Sequence, residues 1–336
     1  MADKDKKYNV LNASRLSIAP MMDWTDRHCR FFHRLMSCDA LLYTEMVTSA
    51  AVLNGDRDRL LAFNSAEHPV ALQLGGSDPA ELARAVRVVR DYGYDEVNLN
   101  VGCPSDRVQS GCFGAVLMRQ PDLVADCVRA MQGESDVDVT VKCRIGVDDQ
   151  DPHEALPRFL ELMVGAGVTR VTIHARKAWL QGLSPKQNRD VPPLDYDLVH
   201  AMKSAFPQLH ISLNGGIATL DEADAHLKAG LDGVMIGRAA YHTPADVLLQ
   251  ADQRIFGRDG RARTAEQVAL EMLPYIEAHL QDGGRLNQIT RHILGLFAGR
   301  PGARGWKRIL SEGAHRDGAG PELVERALQE VIARAA

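Results

Sequence analysis

The stretch Glu96-Val97-Asn98-Leu99-Asn100-Val101-Gly102-Cys103-Pro104-Ser105 alternates polar and apolar residues and then turns through Gly-Cys-Pro. The alternation over residues 96–100 predicts a β-strand, and the turn predicts that this strand ends by presenting Cys103. In barrels of alternating strands and helices, functional side chains lie at the C-terminal ends of the strands. Cys103 is therefore the candidate reactive residue, although free cysteines are also common as small buried apolar residues.

Similar short β-rich runs alternate with amphipathic stretches as far as about residue 250. We predict strands at residues 16–20, 40–44, 70–74, 96–100, 139–142, 170–174, 210–214 and 233–236. Eight strand-helix units favour a closed (β/α)8 TIM barrel over a doubly wound sheet. The C-terminal ends of all eight strands should then form one face.

The pattern changes after residue 256. Residues 257–263 replace the apolar period with glycines and charges and predict a linker. Beyond it, helices are predicted at residues 266–279, 286–297, 303–311 and 321–334. We therefore predict a catalytic barrel domain at residues 1–256 and a small all-helical domain at residues 264–336.

The composition is that of a globular protein, with 45% hydrophobic and 25% charged residues and a net charge of −5 over 336 residues. This charge argues against a uniformly basic nucleic-acid binder, and no apolar run is long enough to span a bilayer. The N-terminus lacks the apolar core of a signal peptide. We expect a cytoplasmic protein that does not bind membranes.

The six cysteines include no Cys-x-x-Cys pair and no framework spacing, so we expect neither disulfides nor a bound metal. Cys29, Cys38, Cys127 and Cys143 are predicted to be buried apolar residues. Residues 110–114 are rich in glycine and predict a mobile loop beside Cys103. Cys112 lies in that loop, and we prefer Cys103 because of its position at the strand end.

Glycines follow the last two predicted strands, as Asn214-Gly215-Gly216 and as Gly237-Arg238. Barrels often bind phosphate at this place, through backbone N–H groups that glycines leave exposed. Glycines can also serve only to make tight turns. The occurrence of both motifs on consecutive strands favours a phosphorylated ligand or cofactor.

Polar side chains on the same predicted rim could meet the edge of a ring cofactor. Gln73, Lys142 and His174 can donate hydrogen bonds to carbonyl oxygens or stabilise an anionic ring nitrogen. The run Pro20-Met21-Met22 follows the first strand and lies on the same rim. Alternatively, the lysine is solvated and the histidine binds backbone. Arg144 is left out because it could equally be a salt-bridge residue.

Two basic segments could hold a polyanion. One, near the C-terminus, contains a single acid, Glu312, among Arg291, Arg300, Arg304, Lys307, Arg308 and Arg316. The other follows the sixth strand, where Lys186 and Arg189 share a polar loop with Trp179. The alternative for this loop is a simple solvated surface.

Several of these motifs together resemble the flavin-dependent tRNA-dihydrouridine synthases. The resemblance covers about residues 18–311 and rests on Ala19-Pro20-Met21-Met22-Asp23-Trp24-Thr25-Asp26, Tyr43-Thr44-Glu45-Met46, residues 98–105, His174-Ala175-Arg176, Asn214-Gly215-Gly216 and Gly237-Arg238. Residues 183–189, 291–297 and 301–308 look like the A-type branch, which reduces uridines 20 and 20a in the tRNA D-loop. Lys307 stands where the family pattern suggests arginine.

The resemblance implies FMN in the barrel mouth, NADPH as hydride source and a helical domain that grips tRNA. It implies Cys103 as the acid that protonates uracil C5, and Asn100 as the residue that orients the base. The expected cofactor-binding residues are Pro20, Met21, Met22, Gln73, Lys142, His174, Asn214, Gly215, Gly216, Gly237 and Arg238. With Asn100, the expected tRNA-binding residues are Lys186, Arg189, Arg304 and Lys307. The alternative function is a flavin-dependent oxidoreductase of a free pyrimidine, which needs no helical domain.

Overall fold

A computed structural model describes residues 9–105 and 111–335, with the side chain of residue 335 excepted. Each strand pairs in parallel with the next, and the last pairs with the first, so the sheet closes. The predicted (β/α)8 barrel is therefore confirmed. Its strands are β1 (Leu16–Ile18), β2 (Leu41–Thr48), β3 (Val70–Gly75), β4 (Glu96–Val101), β5 (Val139–Arg144), β6 (Arg170–His174), β7 (His210–Asn214) and β8 (Gly233–Ile236).

The bounds of β6, β7 and β8 match the prediction, β3 and β4 end one residue later than predicted and β5 two, and β1 and β2 also differ. β1 stops before Pro20, because proline has no N–H to continue the ladder after Ala19 donates to the carbonyl of Ile236 at 2.9 Å. β2 continues to Thr48 through an irregular register between Tyr43 and Met46. This bulge has no local sequence signature, so the prediction ended β2 too early.

Helices surround the barrel and continue into the C-terminal region. Those up to residue 256 are α1 (Val10–Ala13), α2 (Arg27–Met36), α3 (Ser49–Asn54), α4 (Arg57–Leu61), α5 (Pro79–Val89), α6 (Pro121–Gln132), α7 (Pro152–Gly165), α8 (Tyr196–Ala205), α9 (Leu220–Lys228), α10 (Arg238–His242), α11 (Pro244–Leu248) and α12 (Ala251–Arg254). The C-terminal ones are α13 (Ala265–Glu271), α14 (Leu273–Gln281), α15 (Leu286–Ile293), α16 (Ala303–Gly313) and α17 (Glu322–Ala335). Short 3-10 turns span Ser65–Glu67, Arg90–Tyr92, Gly114–Arg119 and Gln187–Arg189.

Two of the predicted C-terminal helices are wrong in extent. The helix predicted at residues 266–279 is two helices, α13 and α14, because Pro274 cannot donate to the preceding turn. The helix predicted at residues 286–297 ends at Ile293. Gly295 packs there so closely that a Cβ would lie 2.5 Å from the carbonyl oxygen of His242.

The barrel is apolar outside, and its interior is largely polar apart from a small separate cluster of buried apolar residues. Along β4, Val97, Leu99 and Val101 belong to the large hydrophobic core, whereas Glu96 and Asn98 make buried side-chain hydrogen bonds. A strand alternates its side chains between two faces, so this pattern places the polar ones inward. The carboxylate of Glu96 lies 2.9 Å from the guanidinium of Arg170, and both side chains are buried.

Asp26 joins the barrel to the C-terminal helices. It caps α2 by accepting from the N–H groups of His28 and Cys29, both at 3.0 Å. The same carboxylate contacts Arg291 at 2.5 Å and His292 at 3.0 Å on α15. Burial alone would raise the pKa of Asp26, but the contacts with His292 and Cys29 lower it below its usual range. The domain division after residue 256 stays a prediction.

All six cysteines are free thiols. Cys29, Cys127 and Cys143 are buried as predicted, but the prediction for Cys38 is wrong, since Cys38 is exposed. It follows the end of α2 on the surface, where its N–H donates to Asp252 at 2.7 Å. Among residues 9–105 and 111–335, no helix has the length and apolar character needed to cross a bilayer.

We predict that Asp26→Asn lowers the free energy of unfolding by about 2 kcal/mol, because asparagine keeps the cap but loses the charge that meets Arg291 and His292. The lowered pKa of Asp26 means that this contribution is present above about pH 4 and is lost as the pH falls below it. Urea unfolding at pH 7 and pH 3 measures both effects. Asp56→Asn, at the exposed cap of α4, is the matched control and should change little.

Candidate active site

A pocket of about 830 Å³ opens at the C-terminal ends of the strands. Most of the residues predicted from the sequence line it together, namely Pro20, Met21, Met22, Gln73, Asn100, Cys103, Lys142, His174, Arg189, Asn214, Gly215, Gly216, Gly237 and Arg238. Its volume lies within the range of small-molecule sites. The rim that the strand pattern predicted is thus one continuous cavity.

Three predicted residues do not line this pocket. Lys186 is exposed in a loop whose neighbours Pro185 and Arg189 do line it. Arg304 lines a separate surface cavity of about 340 Å³, and Lys307 is exposed on the same helix, α16. This cavity also contains Arg300, Arg308, Glu330 and Arg334.

Two arginines of the C-terminal basic cluster form ion pairs that the sequence did not indicate. Arg291 pairs with Asp26, and Arg300 pairs with Glu266. Both acids lie outside the segment in which only Glu312 was counted, so the sequence could not reveal these pairs. Arg304, Lys307 and Arg308 are exposed.

Asn100 builds the turn that carries Cys103. Its side-chain oxygen accepts from the N–H groups of Gly102 at 3.1 Å and Cys103 at 3.0 Å. The carbonyl of Cys103 in turn accepts from Ala115 at 2.9 Å. The half-buried thiol of Cys103 faces Ser105, with Sγ and Oγ 3.5 Å apart. Position 110 of the predicted loop 110–114 lies outside the described residues.

A line of hydrogen bonds connects this turn to the floor of the barrel. The amide of Asn100 donates to Gln73 at 2.7 Å, and the amide of Gln73 donates to Asn98 at 2.8 Å. Asn98 donates to the hydroxyl of Thr140 at 2.8 Å. Thr140 donates to the carboxylate of Glu96 at 2.5 Å. These five side chains come from β3, β4 and β5.

Lys142 and His174 place two nitrogens against the pocket. The Lys142 ammonium donates to Asn214 at 3.0 Å, and burial, with the nearby charge of Arg144, lowers the pKa of Lys142 to about 8. Burial, with Arg144 and Lys142, holds the pKa of His174 well below its ordinary value, so this imidazole is neutral at pH 7. Among the described residues, none bonds the buried Nε2 of His174.

Arg144 is a pocket residue that the sequence analysis left out. It lines the cavity, and its guanidinium donates to the carbonyl of Gly102 at 3.1 Å and of Asn188 at 3.0 Å. Among the described residues, the partners of Arg144 are backbone carbonyls, and no carboxylate pairs with it. Burial lowers the pKa of Arg144 to about 10. Its position two residues after Lys142, on the same face of β5, was the available signal.

The two glycines after β7 have backbone conformations that favour glycine, with φ of 112° at Gly215 and 77° at Gly216. A Cβ at Gly215 would lie 2.8 Å from the His174 ring, and one at Gly216 would lie 2.6 Å from Leu194. These glycines therefore keep the pocket open beside His174. Arg238 stands after β8 and pairs with Asp190 at 2.7 Å.

Other lining residues were not among the predicted site residues, although several lie within the quoted motifs. They come mostly from loops, and they are Ala19, Trp24, Met46, Gly102, Pro104, Ser105, Pro185, Ile217, Ala218, Met235, Ala239, His242 and Thr243. Trp24 is held by stacking on Tyr241, with ring centroids 4.5 Å apart. That contact joins segments more than 200 positions apart in sequence, so no local pattern could predict it.

The model of the dihydrouridine synthase (Dus) family matches residues 17–332 of this chain. The chain belongs to the Dus family. The resemblance to the dihydrouridine synthases that the sequence motifs indicated is thereby confirmed. The match spans the barrel strands, the pocket and most of the C-terminal helices.

Relatives within the Dus family are similar over nearly their whole length. The tRNA-dihydrouridine(20/20a) synthase of Shewanella oneidensis is 60% identical over 97% of this chain and 97% of its own. Its namesake in Vibrio cholerae is 56% identical over 96% of this chain and 98% of its own. The protein of that name in Escherichia coli is 55% identical over 97% and 98%, respectively.

Solved structures with a similar fold are distant in sequence. An old yellow enzyme homologue from Zymomonas mobilis has a TM-score of 0.52 at 12% identity and covers 76% of this chain and 91% of that one. A 2-naphthoyl-CoA reductase has a TM-score of 0.56 at 11% identity and covers 73% and 50%. These likenesses show that the Dus barrel shares its architecture with other barrel proteins.

We predict that Lys142→Met raises the melting temperature of the ligand-free protein by about 2–4 °C, because it removes a buried cation from a pocket in which none of the described lining residues is acidic. The lowered pKa of Lys142 makes the penalty complete below about pH 8. The penalty then decreases as the pH rises toward the unfolded value near 10.4. Calorimetry should show a smaller increase in melting temperature at pH 10 than at pH 7. Lys228→Met, at an exposed lysine, should leave the melting temperature unchanged at both pH values.

Proposed function

We propose that this chain reduces uridine to 5,6-dihydrouridine at positions 20 and 20a of the tRNA D-loop, with FMN as cofactor and NADPH as hydride source. The observation that carries the proposal is the pocket in which Cys103, Asn100, Lys142 and His174 meet. The names of the relatives given above support tRNA as the substrate, because those proteins are called tRNA-dihydrouridine(20/20a) synthases. The alternative of a free pyrimidine substrate gains no support from them.

The residues of the pocket fit FMN. The unbonded Nε2 of His174 and the ammonium of Lys142 can meet polar atoms of a ring, and Gln73 lies on the same wall. Gly215 and Gly216 leave backbone exposed in the same pocket that Arg238 lines, so a phosphate can bind there. Pro20, Met21 and Met22 supply apolar surface, and the other proposed contacts are Asn214 and Gly237. When bound, FMN supplies hydride transfer to carbon.

The side chains of the pocket then have separate tasks. Cys103 holds a proton on Sγ and delivers it to C5 of the uracil ring, since its turn presents the thiol at the pocket wall. Asn100 orients the base while it also holds the cysteine turn. Lys142 and His174 contact the ring ligands. No acidic side chain among the described lining residues repels an anionic ligand.

The C-terminal helices and one barrel loop provide the tRNA contacts in this proposal. Lys186, Arg189, Arg304 and Lys307 are exposed cations that can bind phosphates. Residues 264–336 thus act as a tRNA-binding domain beside a catalytic domain of residues 1–256. A stacked uridine must leave the folded RNA to reach the pocket, which costs a few kcal/mol that phosphate contacts offset. The reaction takes place in the cytoplasm.

We predict that Cys103→Ala lowers dihydrouridine formation by about 10²- to 10⁴-fold, because only the proton donor is lost. Reduction of bound flavin by NADPH should continue at the rate of the unchanged protein. Mass spectrometry of nucleosides from tRNA that lacks dihydrouridine measures the product, and anaerobic absorbance measures flavin reduction.

Cys112→Ala is the control for this experiment, because Cys112 is exposed on the neighbouring segment and is not a pocket residue. Its product yield should equal that of the unchanged protein. Near-normal product with Cys103→Ala would refute the assignment of the acid. No product from the unchanged protein with FMN and NADPH would refute the proposed function itself.

We predict that the double variant Arg304→Gln, Lys307→Gln binds tRNA more weakly and with a flatter salt dependence. Each lost phosphate contact should reduce the slope of log K against log salt by about 0.7 to 0.9. The double variant Arg87→Gln, Arg90→Gln removes the same net charge from the barrel surface, where both arginines pair with acids. Equal slopes for both double variants would place the RNA surface elsewhere.

A further inference from the structure

We propose that Glu96 and Thr140, at the floor of the barrel, are positioning residues that fix which way three buried amides face. Their effect is that Gln73 and Asn100 offer the pocket hydrogen-bond donors and not acceptors. The inference rests on the proposed FMN pocket. It concerns residues that do not line that pocket.

The direction of the hydrogen bonds follows from the floor upward. The carboxylate of Glu96 can only accept, and one oxygen already accepts from Tyr43 at 2.6 Å while Arg170 lies against the other. Thr140 has one hydroxyl proton, which goes to Glu96. The Thr140 oxygen must then accept, so Asn98 turns its NH2 group toward Thr140.

The same logic continues to the pocket. Asn98 turns its oxygen toward Gln73, which must therefore donate to it. Gln73 in turn faces Asn100 with its oxygen, and Asn100 donates to that oxygen. At the top, the oxygen of Asn100 meets the N–H groups of Gly102 and Cys103. The carboxylate at the lower end and the N–H groups at the upper end therefore require the same orientation of all three side-chain amides. Rotating any one of these amides by 180° would place two donors or two acceptors against each other.

The consequence for a ligand is chemical. Among the described residues, the Asn100 oxygen accepts from two N–H groups and the Gln73 oxygen accepts from Asn100, while each of the two NH2 groups donates only one of its hydrogens. Lys142 and Arg144, on the next strand, also only donate. This wall therefore selects a ring edge that carries carbonyl oxygens, as the pyrimidinedione ring of a flavin or a uracil does. An amino group at that edge would meet N–H groups.

A pair of substitutions at Thr140 separates the hydroxyl from the shape of the side chain. Thr140→Val keeps the shape and removes the hydroxyl, so Asn98 loses its acceptor and the amides are no longer held from below. Thr140→Ser keeps the hydroxyl and removes a methyl group. Thr172→Val, inside the barrel floor on β6, is the control for losing a buried hydroxyl outside the line of hydrogen bonds.

The readout is the dissociation constant of each apoprotein for FMN and for its 2-thio and 4-thio analogues, in which sulfur replaces a carbonyl oxygen. We expect the unchanged protein, Thr140→Ser and Thr172→Val to bind FMN alike and to bind at least one analogue about tenfold more weakly. Thr140→Val should bind FMN about tenfold more weakly and lose most of this discrimination. Unchanged discrimination in Thr140→Val would overturn the proposal.

A second measurement needs no ligand. In protein labelled with ¹⁵N at Asn and Gln, the side-chain amide hydrogens of Asn98 and Gln73 should exchange slowly in the unchanged protein and in Thr140→Ser. They should exchange at least about tenfold faster in Thr140→Val. Equal exchange in both variants would overturn the positioning role, whereas failure of every protein to bind FMN would overturn the cofactor assignment alone.

Discussion

The ion pair between Glu96 and Arg170 is the contact on which the polar interior of the barrel depends. The two side chains are 0% and 6% exposed, and removing either partner would leave a buried charge at a cost of about 3–5 kcal/mol. Tyr43 and Thr140 donate to the same carboxylate, so its charge is satisfied from several strands at once. The floor of the barrel thus sets the hydrogen bonding that reaches the pocket.

The pocket above this hydrogen-bonded interior is lined by more cations than anions among the described residues. Lys142 and Arg144 stand on one strand, none of the described residues that line the pocket is acidic, and burial lowers the pKa of both. Such an arrangement weakens the ligand-free protein but suits anionic and carbonyl-bearing ligands. The same hydrogen bonds position Cys103. The side-chain oxygen of Asn100 accepts from the N–H of Cys103, and the amide of Asn100 donates to Gln73.

The barrel and most of the pocket rim could be predicted because strands of period two fix which residues reach the C-terminal face. Residues 170–174, 210–214 and 233–236 were predicted as strands to the residue, and Lys142 and His174 meet in the pocket as expected. Arg144 was left out because the sequence alone does not distinguish an arginine that pairs with an acid from one that donates to backbone carbonyls, as this one does. The pairing of Arg291 with Asp26 was missed because it joins distant segments.

The most direct test of the account is the reoxidation of the flavin-loaded protein by candidate acceptors. The protein is reduced with NADPH without oxygen and then mixed with tRNA that lacks dihydrouridine, with orotate or with uracil, while the flavin absorbance is followed. The account predicts reoxidation by the tRNA and none by the free pyrimidines. Reoxidation by orotate or uracil, or none by the tRNA, would contradict it.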